Sequence, residues 1–496
     1  MAQLLPPEIW LQIFSYAADD DSLFDHALPT SLWDSAWTRM LYGNLWYLRS
    51  PDEVLNTKQR QSYFTKKAIS ATCRAWRTLG AEFLFRFLYF NDPSYLQQFG
   101  PILNNNPNYG RWVKRIHITR YYAGLGATMY EMQKSLGSII RHCPNLEIFV
   151  VSWPLSHSFS AVAYALRHRS KTLHTLSLNV PTASLGKAIV MLQTLPSLKS
   201  LHLEFEGSCP EDIELGASSD LEIALNDLQQ LSLRGPCGDF VEQAIGWKMP
   251  SLQSLSLDFL SYRNDLPDIV DFLAHHGAHL TFLDINCIPD LDVPTILDLC
   301  PLLTTFAFNL DWRIESAHTD IWGAGTLVHR PHANITTIGC HQLLHAFGVG
   351  DAAKYAAADP FTTHVVRRRN DANFAAITRA AFPRLARVRV LNRTLLRDLE
   401  RADGPARDCY ERWERWWDQC AAQGVRLEDC TGAPLGTLPM DDPEDEEVES
   451  EVDEDAEEQK KLQPLRDLLE ECKRMSLTRE EPLFALPPPY RQPLTG

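Results

Sequence analysis

Between residues 146 and 308 a six-residue apolar pattern returns seven times, and this recurrence limits the possible folds more than any other feature of the chain. Leu146, Leu173, Leu198, Leu228, Leu252, Leu280 and Leu303 each open a segment whose first, fourth and sixth positions are apolar. The opening residues lie 27, 25, 30, 24, 28 and 23 residues apart. Apolar residues that alternate with polar ones have the period of a strand with one buried face. The stretches between, such as 161–169 and 269–275, read as helices that return the chain to the start of the next strand. One such unit cannot bury its own apolar face, so the units must stack on one another.

Degenerate copies at Val113, Ile335 and Leu385 extend the series at both ends. Pattern and period resemble leucine-rich repeats, whose units run about 20–29 residues. The resemblance implies an α/β fold, with a curved parallel sheet inside and helices outside. The usual Asn or Cys of the repeat is missing; Pro154, Pro181, Glu206, Pro236, Leu260, Ile288 and Asp311 stand in its place. The expectation is therefore an irregular solenoid over residues 91–435. Two rows face outward on its concave side. One is Ile148, Thr175, Ser200, Gln230, Ser254, Phe282 and Thr305; the other is Ser152, Asn179, Glu204, Arg234, Asp258, Asn286 and Asn309. The second row, polar and mixed in charge, is the expected substrate surface.

The N-terminal residues carry a second signal. Residues 5–16 read as a short helix with Pro6 and Pro7 in its first turn, where a backbone N–H has no helical partner. Ile9, Ile13 and Phe14 fall on one face. A second helical run at 64–80 places Ile69, Cys73 and Trp76 on a face, and 82–90 is aromatic and leads into a strand. The stretch 18–60 between them reads as irregular. Residues 5–16 resemble the opening of an F-box, and 71–77, with Cys73, Arg74, Trp76 and Arg77, resemble its closing helix. Together with the repeats, the chain resembles F-box proteins with leucine-rich repeats of the class abundant in mushroom-forming fungi. That resemblance implies an F-box within residues 1–90, with Leu5, Pro6, Glu8, Ile9, Ile13 and Phe14 against a Skp-family adaptor, and Cys73 and Trp76 in the F-box core. It also implies a role as the substrate-recognition subunit of an SCF-type cullin–RING ubiquitin ligase, with a protein substrate on the repeats. The alternative is a repeat scaffold without a ligase role, in which residues 5–16 are a buried cap.

Charge and motifs argue against other classes. The formal charge is −16, but residues 441–458 alone carry −13, which leaves −3 for the other 478 residues. A near-neutral folded part gives no support for a nucleic-acid binder, which would usually show a basic face. The acidic run cannot bury enough apolar surface to order itself, so 436–496 is expected to be a mostly disordered tail. No apolar run reaches membrane-spanning length, and with no basic segment followed by an apolar stretch at the N-terminus no secretory signal is expected. Eleven cysteines, odd in number and without a C-x-x-C pair, fit a reducing compartment, cytoplasmic or nuclear. His341 and His345 have helical metal spacing but no adjacent Glu and no third ligand. No catalytic motif, metal site or cofactor is expected. Residues 347–375 read as a long loop, and 405–423 as a capping helix with Tyr410, Trp413, Trp417 and Cys420 on its inner face.

Overall fold

Every apolar segment forms a strand that starts two residues after its opening residue. The computed structural model describes residues 5–32, 37–42, 45–90, 95–118, 129–155, 159–169, 171–207, 221–259, 269–286, 292–311 and 326–436. The acidic segment 441–458 and the rest of the tail lie outside them. The strands are β1 (Thr38–Tyr42), β2 (Leu45–Arg49), β3 (Phe87–Phe90), β4 (Arg115–Ile118), β5 (Ile148–Pro154), β6 (Thr175–Pro181) and β7 (Ser200–Glu206). They continue with β8 (Gln230–Arg234), β9 (Ser254–Asp258), β10 (Phe282–Asn286), β11 (Thr305–Asn309), β12 (Thr337–His341), β13 (Arg387–Val390) and β14 (Arg426–Glu428). Strands β3 to β14 form one parallel sheet in strict sequence order, and β1 and β2 form a separate antiparallel hairpin. The chain is thus α/β, with a sheet of twelve strands.

Parallel neighbours need a crossover, and several of those described here carry one short helix. The helices Phe159–Leu166, Leu185–Gln193, Ile269–His276 and Val293–Leu299 pack on the apolar face of the sheet. In Leu185–Gln193 the buried residues Leu185, Ala188, Ile189 and Leu192 recur at i, i+3, i+4 and i+7. They join Leu176, Leu178, Leu201 and Leu203 in one continuous core. The opening leucines are themselves buried and turn the chain into each strand.

The N-terminal helices are α1 (Pro7–Ala18), α2 (Pro51–Thr72) and α3 (Arg74–Arg86). The single run expected at 64–80 is two helices, broken at Cys73, whose backbone is extended. Residues 18–60 are also more regular than expected. A 3-10 turn at Asp21–Phe24, the β1–β2 hairpin and the first turns of α2 lie within that stretch. The start of α2 is set by a capping box, in which Ser50 accepts from the Glu53 N–H and Glu53 accepts from the Ser50 N–H.

Residues 347–375 are not a loop. They form the helices Gly350–Ala358 and Pro360–Ala375, the first rich in alanine, the best helix former. Asp359 caps the second, accepting from the Thr362 N–H at 3.0 Å, with Pro360 in its first turn. Asn370 and Asn373 both donate to the Leu310 carbonyl at 2.9 Å, which fixes this helix beside the end of β11. The capping helix runs Tyr410–Ala422; Cys420 is buried and Trp413 and Trp417 pack half-buried on the core as expected, but Tyr410 is exposed and the fully buried aromatic is Trp416. Trp416 stacks on Phe374 at 4.2 Å and meets Phe347 edge-on at 5.8 Å, so the inner face follows the helix expected to be a loop.

Candidate interaction surfaces

Helix α1 has two unlike faces. Phe14 and Ala18 point inward, and Phe14 is 1% exposed. Its ring lies 5.0 Å from Trp76 and 6.2 Å from Phe83, and Trp10 lies 4.6 Å from Trp76. Phe14 therefore belongs to the core of the three helices and not to the outer face on which it was expected. At the end of α1, Asp19 accepts ion pairs from Lys66 of α2 at 2.7 Å and Arg86 of α3 at 2.8 Å. Burial holds the Lys66 ammonium below its ordinary pKa, with Asp19 opposing that drop.

An outer face of α1 carries Ile9 and Ile13, which are 39% and 40% exposed, and Leu5, two residues ahead of the helix, is 43% exposed beside them. Their i, i+4, i+8 spacing makes a stripe, continued by Tyr16, and Pro6 and Glu8 are exposed beside it. Single exposed apolar residues are ordinary, whereas several side by side are less common on a protein surface. Cys73 is exposed; its sulfur accepts from the Trp76 N–H at 3.4 Å and so caps α3 instead of filling the core. Trp76 is half-buried between α1 and α3.

The outward rows of the sheet are in register. Asn179, Glu204, Arg234, Asp258 and Asn286 sit side by side on β6 to β10, and Asn309 on β11 faces His341 on β12. Ser152 drops out of this row, because an irregularity between Val151 and Pro154 sets Pro154 beside Asn179. Arg234 lies 3.4 Å from Glu204 and 3.3 Å from Asp258, and Asn286 donates to Asp258 at 3.0 Å. Asn179 donates to Glu206 at 2.6 Å and is buried, as is Asn309. Burial raises the Asp258 carboxyl pKa, with Arg234 opposing. Glu204, Arg234, Asp258 and Asn286 remain accessible, already paired with one another.

In the other row Ile148, Thr175, Ser200 and Gln230 are buried, and Ser254, Phe282 and Thr305 are half-buried. Residues 23–32 cross the face of the sheet as a strap. The Arg115 guanidinium donates to the Leu23 carbonyl at 2.8 Å, and Thr175 donates to the His26 carbonyl at 2.7 Å. Gln230 makes two bonds to Leu28, accepting from its N–H and donating to its carbonyl, each at 2.9 Å. Ser31 donates to Asp284, whose other oxygen lies 2.6 Å from His341. Leu32 packs on Ala307 and Leu391, and Arg389 donates to its carbonyl at 3.4 Å. Beyond the strap, Arg393 lies over the Trp37 ring at 3.9 Å and Arg39 pairs with Asp429. The strap thus advances across the sheet in order, from β4 to β13. Burial lowers the pKa of His117 well below its ordinary value and takes His202 to about 4. Burial also opposes charge on His341, but Asp284 and Asp258 together hold that imidazole above its ordinary value.

Sequence reasoning missed the strap and its contacts Arg115, Asp284, Ala307, Gly339 and Arg389. One signal was present. Ile148 and Phe282 are apolar at outward positions, and Ala307 and Gly339 are too small to present a surface of their own. No protein-family model matches the chain, and no curated protein matches it.

Proposed function

We propose that this chain recruits substrates to an SCF-type cullin–RING ubiquitin ligase. In this reading α1 to α3 are an F-box that docks on a Skp-family adaptor, and the sheet with its helices is a leucine-rich-repeat solenoid that receives a protein substrate. The observation that carries the reading is the exposed stripe Leu5, Ile9 and Ile13 on a helix whose other face is locked by Phe14 and Asp19. A helix serving only as a cap has its apolar side chains turned toward what it caps. Here three are left outward, on a rigid base, in the form that helix-in-groove recognition uses. Leu5, Pro6, Glu8, Ile9 and Ile13 are the proposed contacts; Phe14 and Trp76 support them from behind, and Cys73 caps the helix that carries Trp76.

The test is hydrogen exchange with and without a Skp-family adaptor. Amides of residues 5–16 slow on adding adaptor, while those of the distant helix Tyr410–Ala422 do not change. Unchanged exchange at 5–16 under saturating adaptor favours the scaffold alternative.

A further inference from the structure

We infer that the face of the sheet between β4 and β13 is a groove for an extended peptide, and that residues 23–32 occupy it in cis. The inference deepens the substrate reading by naming the class of ligand, an extended segment of a partner protein. It does not depend on the adaptor half.

The contacts themselves carry the argument. Arg115, Thr175, Gln230 and Arg389 bond to the strap's backbone, at Leu23, His26, Leu28 and Leu32. Gln230 engages both the N–H and the carbonyl of one residue, as a neighbouring strand would. Backbone recognition accepts many sequences, provided that the ligand is extended. From Asp25 onward, past the 3-10 turn that holds Leu23, the strap meets that condition: His26, Leu28 and Thr30 are half-buried while Asp25, Ala27 and Pro29 are exposed, an alternation of period two.

Selectivity comes from the strap's end. Leu32 fills a socket made by Ala307, Leu391 and Gly339. A Cβ on Gly339 would stand 2.9 Å from Leu32 Cδ1 and 2.8 Å from Ala307 Cβ, so the socket exists because residue 339 has no side chain. Next to it, Asp284 holds the Ser31 hydroxyl. The preferred ligand therefore ends in a small hydroxyl residue followed by leucine, with its backbone read three and four residues earlier at Gln230. The strap also fills its groove incompletely. A cavity of about 170 Å³ remains between Leu28 and Pro29 of the strap, Val54 and Leu55 of α2, and Ile148 and Val150 of the sheet. A ligand with a larger apolar side chain at the position of Leu28 gains surface that the strap leaves unused.

A tethered strap competes at a high effective concentration, so the groove is tested after loosening it. The probe is a fluorescein-labelled peptide of residues 21–33, added to the full chain carrying Leu32→Asp. Anisotropy is expected to show binding at least ten-fold tighter than to the wild-type chain. Adding Gln230→Ala reverses that gain, and so does placing Leu32→Asp in the labelled peptide itself. A folded Leu32→Asp chain that binds the peptide no better than wild type overturns the inference. Should that variant not fold, Leu32→Ala, which only empties the socket, gives the same comparison with the same two outcomes. Adaptor affinity, measured on the same samples, is expected to be unchanged by either substitution, so failure of the groove and failure of the ligase reading are separately visible.

Discussion

Replacing Asp19 by alanine removes the acid at which the three N-terminal helices meet. Among the described residues Asp19 is the one acid paired with Lys66, whose side chain is 3% exposed. Arg86 also pairs with Asp19 but keeps Glu82 on its own helix at 2.5 Å, so its loss is partial. Lys66 is left as a buried, unpaired ammonium. Breaking a buried pair from one side costs about 3–5 kcal/mol, because the remaining charge stays desolvated. Removing both charges is far cheaper, and Asp19→Ala combined with Lys66→Met should return to within about 1–2 kcal/mol of wild type. Urea denaturation followed by far-ultraviolet circular dichroism, with hydrogen exchange at α1 amides as a local readout, measures both. A loss below about 1 kcal/mol for Asp19→Ala refutes the reasoning. So does a double variant no more stable than the single one, because then Lys66 was never the source of the cost.

Two further predictions concern the sheet face. Gly339→Val places carbon against Ala307, Leu32 and Leu391 at once, and should destabilise by about 1–3 kcal/mol through overpacking. It should also free the strap, so that limited proteolysis cuts within 25–31 faster than in wild type; equal cutting contradicts the socket. The second prediction concerns acid. His202 titrates near 4 in the fold instead of 6.5, so its neutral form stabilises the protein above 6.5, and that contribution is lost as pH falls toward 4. The full shift corresponds to roughly 3 kcal/mol. His202→Asn should therefore flatten the acid loss between pH 6.5 and 4, and an unaltered profile of urea midpoint against pH contradicts it.

Much of the sheet was legible because its code is local. A strand buried on one face must alternate, and the leucines opening at 146, 173, 198, 228, 252, 280 and 303 do so at near-constant spacing. Even the weak copies at 113, 335 and 385 became β4, β12 and β13. What failed to show was set by non-local contacts. The helix Pro360–Ala375 has little apolar periodicity, since it is held by Asn370 and Asn373 on the Leu310 carbonyl and by the one buried ring of Phe374. The strap has no periodic apolar pattern at all, because bonds from Thr175, Gln230 and Arg389 to its backbone hold it in place. At α1 the pattern placed Ile9, Ile13 and Phe14 on one face. Phe14 turns inward because Trp76 and Phe83, more than sixty residues away, form the surface it packs against.

The central claim is that α1 presents Leu5, Ile9 and Ile13 to an adaptor. Its most direct test is calorimetric titration of a Skp-family adaptor into the full chain, beside the variant Pro6→Ala/Ile9→Asp. Ile9 is already partly exposed, so the variant is expected to fold with an unchanged melting temperature. Loss of a central apolar anchor costs about 2 kcal/mol or more, which is roughly thirty-fold in affinity. Binding by the wild-type chain, weakened at least thirty-fold in the variant, is the predicted result. No binding by a well-folded wild-type chain, or equal binding by both, contradicts the account.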